Sequence, residues 1–306
     1  MSFMRLAASA AAMLVILFLA SCGGGSGSNS GGGAPPEVTF TIAAAGDIAD
    51  CDGDEPVATS TYARTAALVM PQDTFVLALG DTTYPDGAPT EYATCFNPTW
   101  GAFKDRIRPA PGNHEYYTPN ADGYFNYFGA LAGPDRRGYY SFDFGGWHFI
   151  SLNSNIDASP QSAQYQWLAA DLASSQAATC TIAYWHYPVF SSGMHGNIPQ
   201  MAKVFEALQV AGVDIVLTGH DHIYERFAPQ NANGVADPAR GIREFVVGTG
   251  GSENYVLEAT RPNSEVRNNT THGILRLTLG QGRYSWQYVP IAGATFSDAG
   301  SDTCHR

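Results

Sequence analysis

The sequence predicts an α/β (α+β) fold, a four-layer αββα sandwich in which helices flank two mixed β-sheets. Apolar, β-branched runs alternate with helical patterns near both ends of the chain, and hairpin patterns lie between and after them. Five of the predicted strands end in a side chain that could bind a metal ion. Because ligands gather at the carboxyl ends of strands in such folds, this repetition predicts one shared site.

The predicted strands are short runs of apolar and β-branched residues, several of which end at glycine. They lie at 38–45, 74–79, an extended run up to 111, 179–185, 213–218, 242–247, 274–279 and 284–289. A hairpin is predicted at 139–144 and 147–152, because Gly145-Gly146 between these runs suits a two-residue turn.

Three helices are predicted between the strands. Apolar residues recur at helical spacing over 57–70, and Pro71 ends that pattern. A second helix is predicted to begin at Ser159-Pro160, which has the order of an N-cap followed by proline in the first turn. A third covers 199–211 and leads into the strand before His220.

Length and net charge limit the number of domains and the kinds of partner. The 306 residues suffice for one large α/β domain or two small ones. The formal net charge of −12 argues against nucleic acid, or an anionic membrane surface, as a general partner. Negative charge gathered in one pocket would instead suit bound cations.

The N-terminus has the pattern of a bacterial lipoprotein signal. Arg5 precedes an apolar run over 10–20 that is too short to span a bilayer. The join Leu19-Ala20-Ser21-Cys22 resembles a lipobox, in which the cysteine is lipidated and becomes the first mature residue. An ordinary cleavable signal with a chance cysteine is the alternative.

From this pattern we expect three segments. Residues 1–21 would be the signal peptide, and 22–36 would be the lipidated Cys22 followed by a Gly/Ser-rich tether that cannot bury a core. The catalytic domain would occupy 37–306. We therefore expect an extracytoplasmic protein, in the periplasm or at the cell surface, that is anchored to a membrane through Cys22.

Four further cysteines suit two disulfides in an oxidising compartment: Cys51, Cys95, Cys180 and Cys304. Of the three possible pairings we favour Cys51–Cys95 with Cys180–Cys304, because the loops carrying the first pair follow strands that a sheet would place side by side. Free thiols or a zinc site are the alternatives, although no Cys-x-x-Cys spacing supports zinc.

Candidate metal ligands recur where the strands end. They are Asp47, Asp81, Tyr84, Asn113, His186, His220 and His222, with His114 beside Asn113. Carboxylate, imidazole, amide and phenolate donors suit Fe, Mn or Zn better than Ca or Mg. Seven ligands are too many for one catalytic metal with an open position, and two metals bridged by a carboxylate would account for them.

Five motifs occur in the order found in calcineurin-like metallophosphoesterases. They are Gly46-Asp47, Gly80-Asp81-Thr82-Thr83-Tyr84, Gly112-Asn113-His114-Glu115, Trp185-His186 and Gly219-His220-Asp221-His222. Tyr84 in the second motif, and Tyr224-Glu225-Arg226 after the last motif, make the chain resemble the purple acid phosphatase branch of that superfamily. The resemblance covers about 38–289 and implies a sandwich of the metallophosphoesterase type.

The resemblance also implies roles for individual residues. Asp47, Tyr84 and His222 would hold Fe(III). Asn113, His186 and His220 would hold a divalent Fe, Zn or Mn, and Asp81 would bridge the two ions.

Two histidines would act on the substrate. His114 would lie near the phosphate and the leaving group, and His195 lies where that branch often has a phosphate-contacting histidine. One departure is that Ala49 stands where the branch usually has glycine, which leaves Asp50 as an unassigned carboxylate near the site.

The function implied is hydrolysis of small phosphate monoesters by direct attack of a metal-bound hydroxide on phosphorus. A phosphodiesterase with the same dinuclear site is one alternative, and a catalytically silent surface lipoprotein is another. For single residues, His114 and His195 could instead be ordinary loop histidines, and Tyr84 could be ordinary aromatic packing.

Overall fold

Fifteen strands and five α-helices form the part of the chain described by our computed structural model, residues 39–53, 55–175 and 178–305. The strands are β1 (Phe40–Ala45), β2 (Ala49–Asp50), β3 (Asp73–Leu79), β4 (Thr83–Tyr84), β5 (Ile107–Ala110), β6 (Tyr140–Phe144), β7 (Trp147–Ser151), β8 (Cys180–Tyr184), β9 (Ile215–Thr218), β10 (Tyr224–Phe227), β11 (Arg243–Val247), β12 (Ser264–Asn268), β13 (Gly273–Gly280), β14 (Arg283–Pro290) and β15 (Ala299–Thr303). The helices are α1 (Thr61–Ala66), α2 (Pro89–Glu91), α3 (Asp122–Phe128), α4 (Ala163–Ser174) and α5 (Ala202–Ala211).

Short 3-10 and π turns connect these elements. The 3-10 turns lie at Val57–Thr59, Trp100–Arg106, His114–Tyr116, Pro119–Ala121, Gly129–Ala132, Pro134–Arg136 and Pro199–Met201, and a π turn lies at Tyr92–Phe96.

Both large sheets are mixed. The first has the order β15-β14-β13-β1-β3-β5, in which β1, β3 and β5 are parallel and the β13–β15 side is antiparallel. The second has the order β12-β10-β11-β9-β8-β7-β6, with β7, β8, β9 and β11 parallel. The short strands β2 and β4 pair separately.

A buried apolar layer joins the two sheets. Ile42 and Leu77 of the first sheet pack in the same cluster as Phe149, Ile182 and Phe245 of the second. Because successive side chains of a strand point to opposite faces, the neighbouring residues of each strand face outward instead.

Helical segments cover those outer faces. Outside the first sheet, Ala43 and Val76 share a cluster with Tyr62 of α1, Trp100 and Phe128 of α3. Outside the second, residues of β7, β8 and β9 pack against α4 and α5. The four layers confirm the predicted αββα sandwich.

All three predicted helices begin later than expected. The pattern over 57–70 contains a 3-10 turn, after which Ser60 is extended and caps α1 by accepting a hydrogen bond from the Ala63 amide. At α4 the N-cap is Ser162, whose hydroxyl accepts from the Tyr165 amide at 3.1 Å, rather than Ser159. Capping hydroxyls therefore set the starts of α1 and α4. The first helix also ends at Ala66, before Pro71 is reached, and a 3-10 turn over Pro199–Met201 precedes α5.

The hairpin was predicted correctly. β6 and β7 pair around Gly145 and Gly146, whose φ angles of 58° and 84° give the left-handed backbone that a two-residue hairpin turn requires.

The structure joins Cys51 to Cys95 and Cys180 to Cys304, with Cα–Cα distances of 5.8 and 5.6 Å. These are the two pairs favoured above. Cys22 lies outside the described residues. Among those that are described, no helix combines the length and apolar character needed to cross a membrane.

Candidate metal centre

Five candidate ligands lie just beyond the ends of parallel strands. Asp47, Asp81 and Asn113 follow β1, β3 and β5 of the first sheet by two or three residues. His186 and His220 follow β8 and β9 of the second sheet by two residues each. The Gly46 amide donates to the Val247 carbonyl at 2.9 Å and so joins the strand ends of the two sheets.

The backbone at three of these positions is left-handed. Asp47, Asp81 and His220 have φ angles of 59°, 46° and 69°. Such angles are uncommon for residues other than glycine and cluster at functional sites. The turns therefore aim these side chains in directions that an extended strand would not allow.

Two glycines allow the turns to pack closely. A Cβ atom on Gly112 would overlap the Asp81 carboxylate, and one on Gly219 would lie 2.6 Å from Asp47 Oδ2. Both distances are shorter than van der Waals contact. These glycines are therefore required by the approach of the neighbouring carboxylates.

One group of side chains surrounds the Tyr84 phenol. Its Oη donates toward Asp47 Oδ1 at 2.9 Å and Asp81 Oδ2 at 3.3 Å, and lies 3.1 Å from His222 Nε2. All four side chains are buried. Two carboxylates, a phenol and an imidazole thus converge on one small volume.

A second group surrounds His186. Its Nε2 lies 3.1 Å from Asp81 Oδ2 and 3.1 Å from Asn113 Oδ1. One ligand atom from each of Asp81, His186 and His220 lies within 4.8 Å of the other two. Asp81 therefore belongs to both groups.

The orientation of two imidazoles fits cation binding. His186 Nδ1 lies 2.9 Å from the Leu79 carbonyl, and His222 Nδ1 lies 2.6 Å from the Glu253 carbonyl. A carbonyl can only accept, so Nδ1 must carry the proton in each ring. Each Nε2 then faces a carboxylate, an arrangement that needs either a second proton on the ring or a cation between the two groups.

The charges of the site favour added positive charge. Burial opposes ionisation of Asp81, but His186 outweighs it and holds the carboxyl pKa below its usual range. Burial also opposes ionisation of Asp47, but His222 outweighs it and lowers the pKa of that carboxyl. Although burial disfavours its protonation, Asp81 raises the pKa of His186 to about 9.

In two further side chains of the cluster, His220 and Tyr84, burial itself shifts the pKa in the direction observed. Burial, with His186 nearby, lowers the pKa of His220 to about 3. Burial, with Asp47 and Asp81 nearby, raises the pKa of Tyr84 well above its ordinary value. A phenolate ligand at Tyr84 therefore requires a cation to offset the two carboxylates.

His114 lies at the rim of the cluster. Its backbone N–H donates to Asp81 Oδ1 at 2.9 Å, and its Nδ1 binds the Pro85 carbonyl. Its Nε2 is 3.9 Å from Asp81 Oδ2, and its ring lies 4.3 Å from the Tyr84 ring. The side chain is 23% exposed, so it can meet a molecule that enters from solvent.

His195 also lies at the rim of the cluster. Its ring stacks on that of His220 at a centroid distance of 4.2 Å, and its side chain is 35% exposed. The structure therefore brings both histidines that were predicted to act on the substrate to the ligand cluster.

Three residues differ from expectation or received no role from the sequence. Glu115 is buried and accepts from the amides of Gly112, Asp81 and Thr82 at 2.6, 3.0 and 2.7 Å, which ties two ligand turns together. Its only signal was its place after His114. Tyr255 stacks on His222 at 3.8 Å from a distant loop, for which no local pattern exists. The Asp50 carboxylate instead accepts from its own loop, at the Asp52 amide.

Comparison with known proteins identifies the family. The family model for calcineurin-like phosphoesterase matches residues 40–224. Purple acid phosphatase 18 of Arabidopsis thaliana is 33% identical over 183 residues, which cover 53% of this chain and 41% of that protein. Purple acid phosphatase 22 of the same plant is 32% identical over 224 residues, 64% of this chain and 51% of that protein. The chain spans about half the length of these curated relatives.

Solved structures share the fold. The purple acid phosphatase PPD1 from yellow lupin seeds aligns with a TM-score of 0.68 and 20% identity, over 88% of this chain and 54% of that one. GAP50, the anchor in the inner membrane complex of Plasmodium, aligns with a TM-score of 0.63 and 14% identity, over 88% of this chain and 90% of that one. The family match spans most of the sandwich and every candidate ligand from Asp47 to His222, and on that evidence the chain belongs to the calcineurin-like phosphoesterase family.

Proposed function

We propose that this chain is a dinuclear-metal phosphatase that hydrolyses phosphate monoesters. The observation that carries the proposal is the convergence of two groups of candidate ligands that share Asp81. Family membership and the phosphatase relatives support the same reaction class.

Each group would hold one cation. Asp47, Tyr84 and His222 would bind Fe(III), and Asn113, His186 and His220 would bind a divalent Fe, Zn or Mn, with Asp81 shared between the ions. When bound, such a pair supplies a water acidified to near neutral pKa and neutralises charge on the phosphoryl oxygens.

The chain's own rim residues would orient the substrate. The Pro85 carbonyl fixes Nδ1 of His114 and leaves Nε2 directed toward the cluster, where it could deliver a proton to the departing alkoxide. His195, the other partly exposed histidine beside the cluster, would contact the phosphate.

Removal of the metals, and separately Asp81→Ala, should each lower the turnover of p-nitrophenyl phosphate by about a thousandfold or more, because metals supply several kcal/mol of transition-state stabilisation. Asp143→Asn is the matched control, since that carboxylate is 76% exposed on β6 and contacts His148 rather than the cluster. Unchanged turnover in both test samples would refute the proposal.

The choice between monoester and diester needs a second substrate. We expect p-nitrophenyl phosphate to be hydrolysed faster than bis(p-nitrophenyl) phosphate. A faster diester reaction would make the chain a phosphodiesterase. Two equivalents of bound metal with no turnover of either substrate would indicate the catalytically silent surface protein.

We also propose that Cys22 is lipidated, that 22–36 tether the domain of residues 37–306 to a membrane, and that the protein acts outside the cytoplasm. The support is the lipobox-like sequence before Cys22 and the Gly/Ser-rich stretch after it. Labelled palmitate should enter the wild-type chain but not Cys22→Ser, which should leave the membrane fraction. A soluble, unlabelled wild-type chain would contradict this.

A further inference from the structure

The segment that carries two candidate ligands also carries two acidic side chains that point elsewhere. His220 and His222 face the metal cluster. Asp221 and Glu225 instead bind the loop of residues 191–196, which presents His195. The bends over residues 220–223 therefore direct the two histidines toward the ligand cluster, whereas Asp221 and Glu225 bind the loop.

The Asp221 side chain accepts hydrogen bonds from both ends of this loop. Its carboxylate is fully buried. Oδ1 accepts from the His195 amide at 2.9 Å and lies 3.1 Å from His195 Nδ1, while Oδ2 accepts from the Ser191 hydroxyl. A Cβ atom on Gly193 would overlap the same carboxylate, so the loop wraps closely around it.

These contacts restrain His195. Asp221 Oδ1 is a carboxylate oxygen and can only accept, so the ring proton lies on Nδ1 of His195. The other ring nitrogen, Nε2, is not held by Asp221. The ring is further held against His220, at 4.2 Å between centroids and 30° between planes. His195 is thus fixed in one orientation and one tautomer before any substrate arrives.

We propose that Asp221 is a positioning residue that sets the tautomer and orientation of His195 for contact with the substrate phosphate. This inference rests on the proposed phosphatase function. Asp221 acts through His195 and touches neither the substrate nor the reacting atoms.

Other hydrogen bonds also hold the loop of residues 191–196, so the effect of Asp221 on His195 can be tested without unfolding the loop. Glu225 accepts from both the amide and the hydroxyl of Ser192 at 2.7 Å. The Arg261 Nε donates to the Ser191 carbonyl at 3.0 Å. Without Asp221 the loop therefore keeps these anchors, while His195 loses the hydrogen-bond acceptor at Nδ1 and keeps only its stacking on His220.

The kinetic test compares Asp221→Ala, Asp221→Asn, His195→Ala and the double variant Asp221→Ala/His195→Ala in the metal-loaded protein. Asp221→Ala should lower kcat on p-nitrophenyl phosphate by about 10- to 100-fold with unchanged metal content, and the double variant should be no slower than His195→Ala. Asp221→Asn, which keeps an acceptor for both His195 donors, should restore part of the loss. Asp143→Asn, which removes an exposed carboxylate that contacts His148 rather than His195, should leave kcat unchanged.

A second measurement does not depend on turnover. Long-range ¹H–¹⁵N spectra of the zinc-loaded protein, assigned with His195→Gln, should show the proton of His195 on Nδ1 and a shift toward Nε2 in Asp221→Ala. The proposal is overturned if that spectrum is unchanged, or if the kinetic losses of the two single variants multiply in the double variant. An inactive wild-type protein that still shows the Asp221-dependent signal would contradict the phosphatase function while upholding the positioning role.

Discussion

At the scale of single residues, the site depends on side chains that hold strained turns in place. A left-handed backbone at a residue other than glycine costs on the order of 1 kcal/mol and persists only where its surroundings fix it. At Asp81 the fixing group is Glu115, which accepts hydrogen bonds from the amides on both sides of the turn. At His220 it is Asp47, whose Oδ2 accepts from the His220 amide at 2.8 Å.

Tyr84→Phe tests the identity of the first metal. The Oη atom removed lies 2.9 Å from Asp47 Oδ1 and 3.1 Å from His222 Nε2, while the ring that packs beside His114 is kept. If Tyr84 binds Fe(III), the wild-type protein should be purple through charge transfer and the variant should lose that absorbance. The visible spectrum and metal analysis of natively expressed protein check this. A colourless wild-type protein containing two Zn or Mn ions would leave the hydrolase proposal and remove Fe(III).

At the scale of elements, His148 of β7 forms ion pairs with side chains of β6 and α4. Its Nε2 lies 2.8 Å from Asp171 of α4, and its Nδ1 lies 2.6 Å from Asp143 of β6. Burial opposes protonation of His148, but hydrogen bonds to Asp171 and Asp143 outweigh it and raise the pKa above the ordinary value of 6.5. The protonated form is therefore the one that holds α4 to the second sheet.

This arrangement makes stability depend on pH. A raised native pKa gives stabilisation that is fully present below the unfolded pKa and is lost as pH rises through the native pKa. His148→Gln should therefore lower the free energy of unfolding by about 1–3 kcal/mol near pH 5.5 and by less near pH 9. Urea unfolding at the two pH values checks this.

Asp143→Asn is the internal control for that measurement. Its carboxylate is 76% exposed, against 13% for Asp171, so solvent screens it and its removal should cost less. An equal loss for His148→Gln at both pH values would show that packing, rather than charge, accounts for the role of His148.

At the scale of the whole molecule, one disulfide links the two sheets. Cys180 begins β8 of the second sheet, and Cys304 follows β15 at the edge of the first. The sequence separations are 124 residues for this bridge and 44 for Cys51–Cys95. Closing the longer loop restricts the unfolded chain more, so the chain-entropy model favours the inter-sheet bridge.

Removing either bridge should lower the stability of the fold, but only removal of Cys51–Cys95 should also lower metal binding. Cys180→Ser/Cys304→Ser should lower the free energy of unfolding by up to about 5 kcal/mol, and Cys51→Ser/Cys95→Ser by up to about 4 kcal/mol. The latter should also lower metal content, because the Cys51 amide donates to the Tyr84 carbonyl. Urea unfolding of chelator-treated protein and metal analysis after reloading measure both. Equal metal loss in the two variants would contradict this assignment.

The sequence by itself determined the layer architecture and the candidate ligands. Both follow from local patterns: short apolar and β-branched runs, and polar side chains placed just after them. Parallel strands must bring their carboxyl ends to one edge, so Asp47, Asp81 and Asn113 could be expected to meet without knowledge of the sheet order.

Only the tertiary structure decided which partners hold those ligands, and His195 beside them, in place. Glu115 reaches back to Asp81, Asp221 reaches to His195, and Tyr255 stacks on His222. These contacts join residues that are 26 to 34 positions apart, and they depend on how the loops pack over the strand ends. The physical reason is that a local pattern sets the direction of a side chain from its own backbone, whereas its partner is set by the packing of the two sheets.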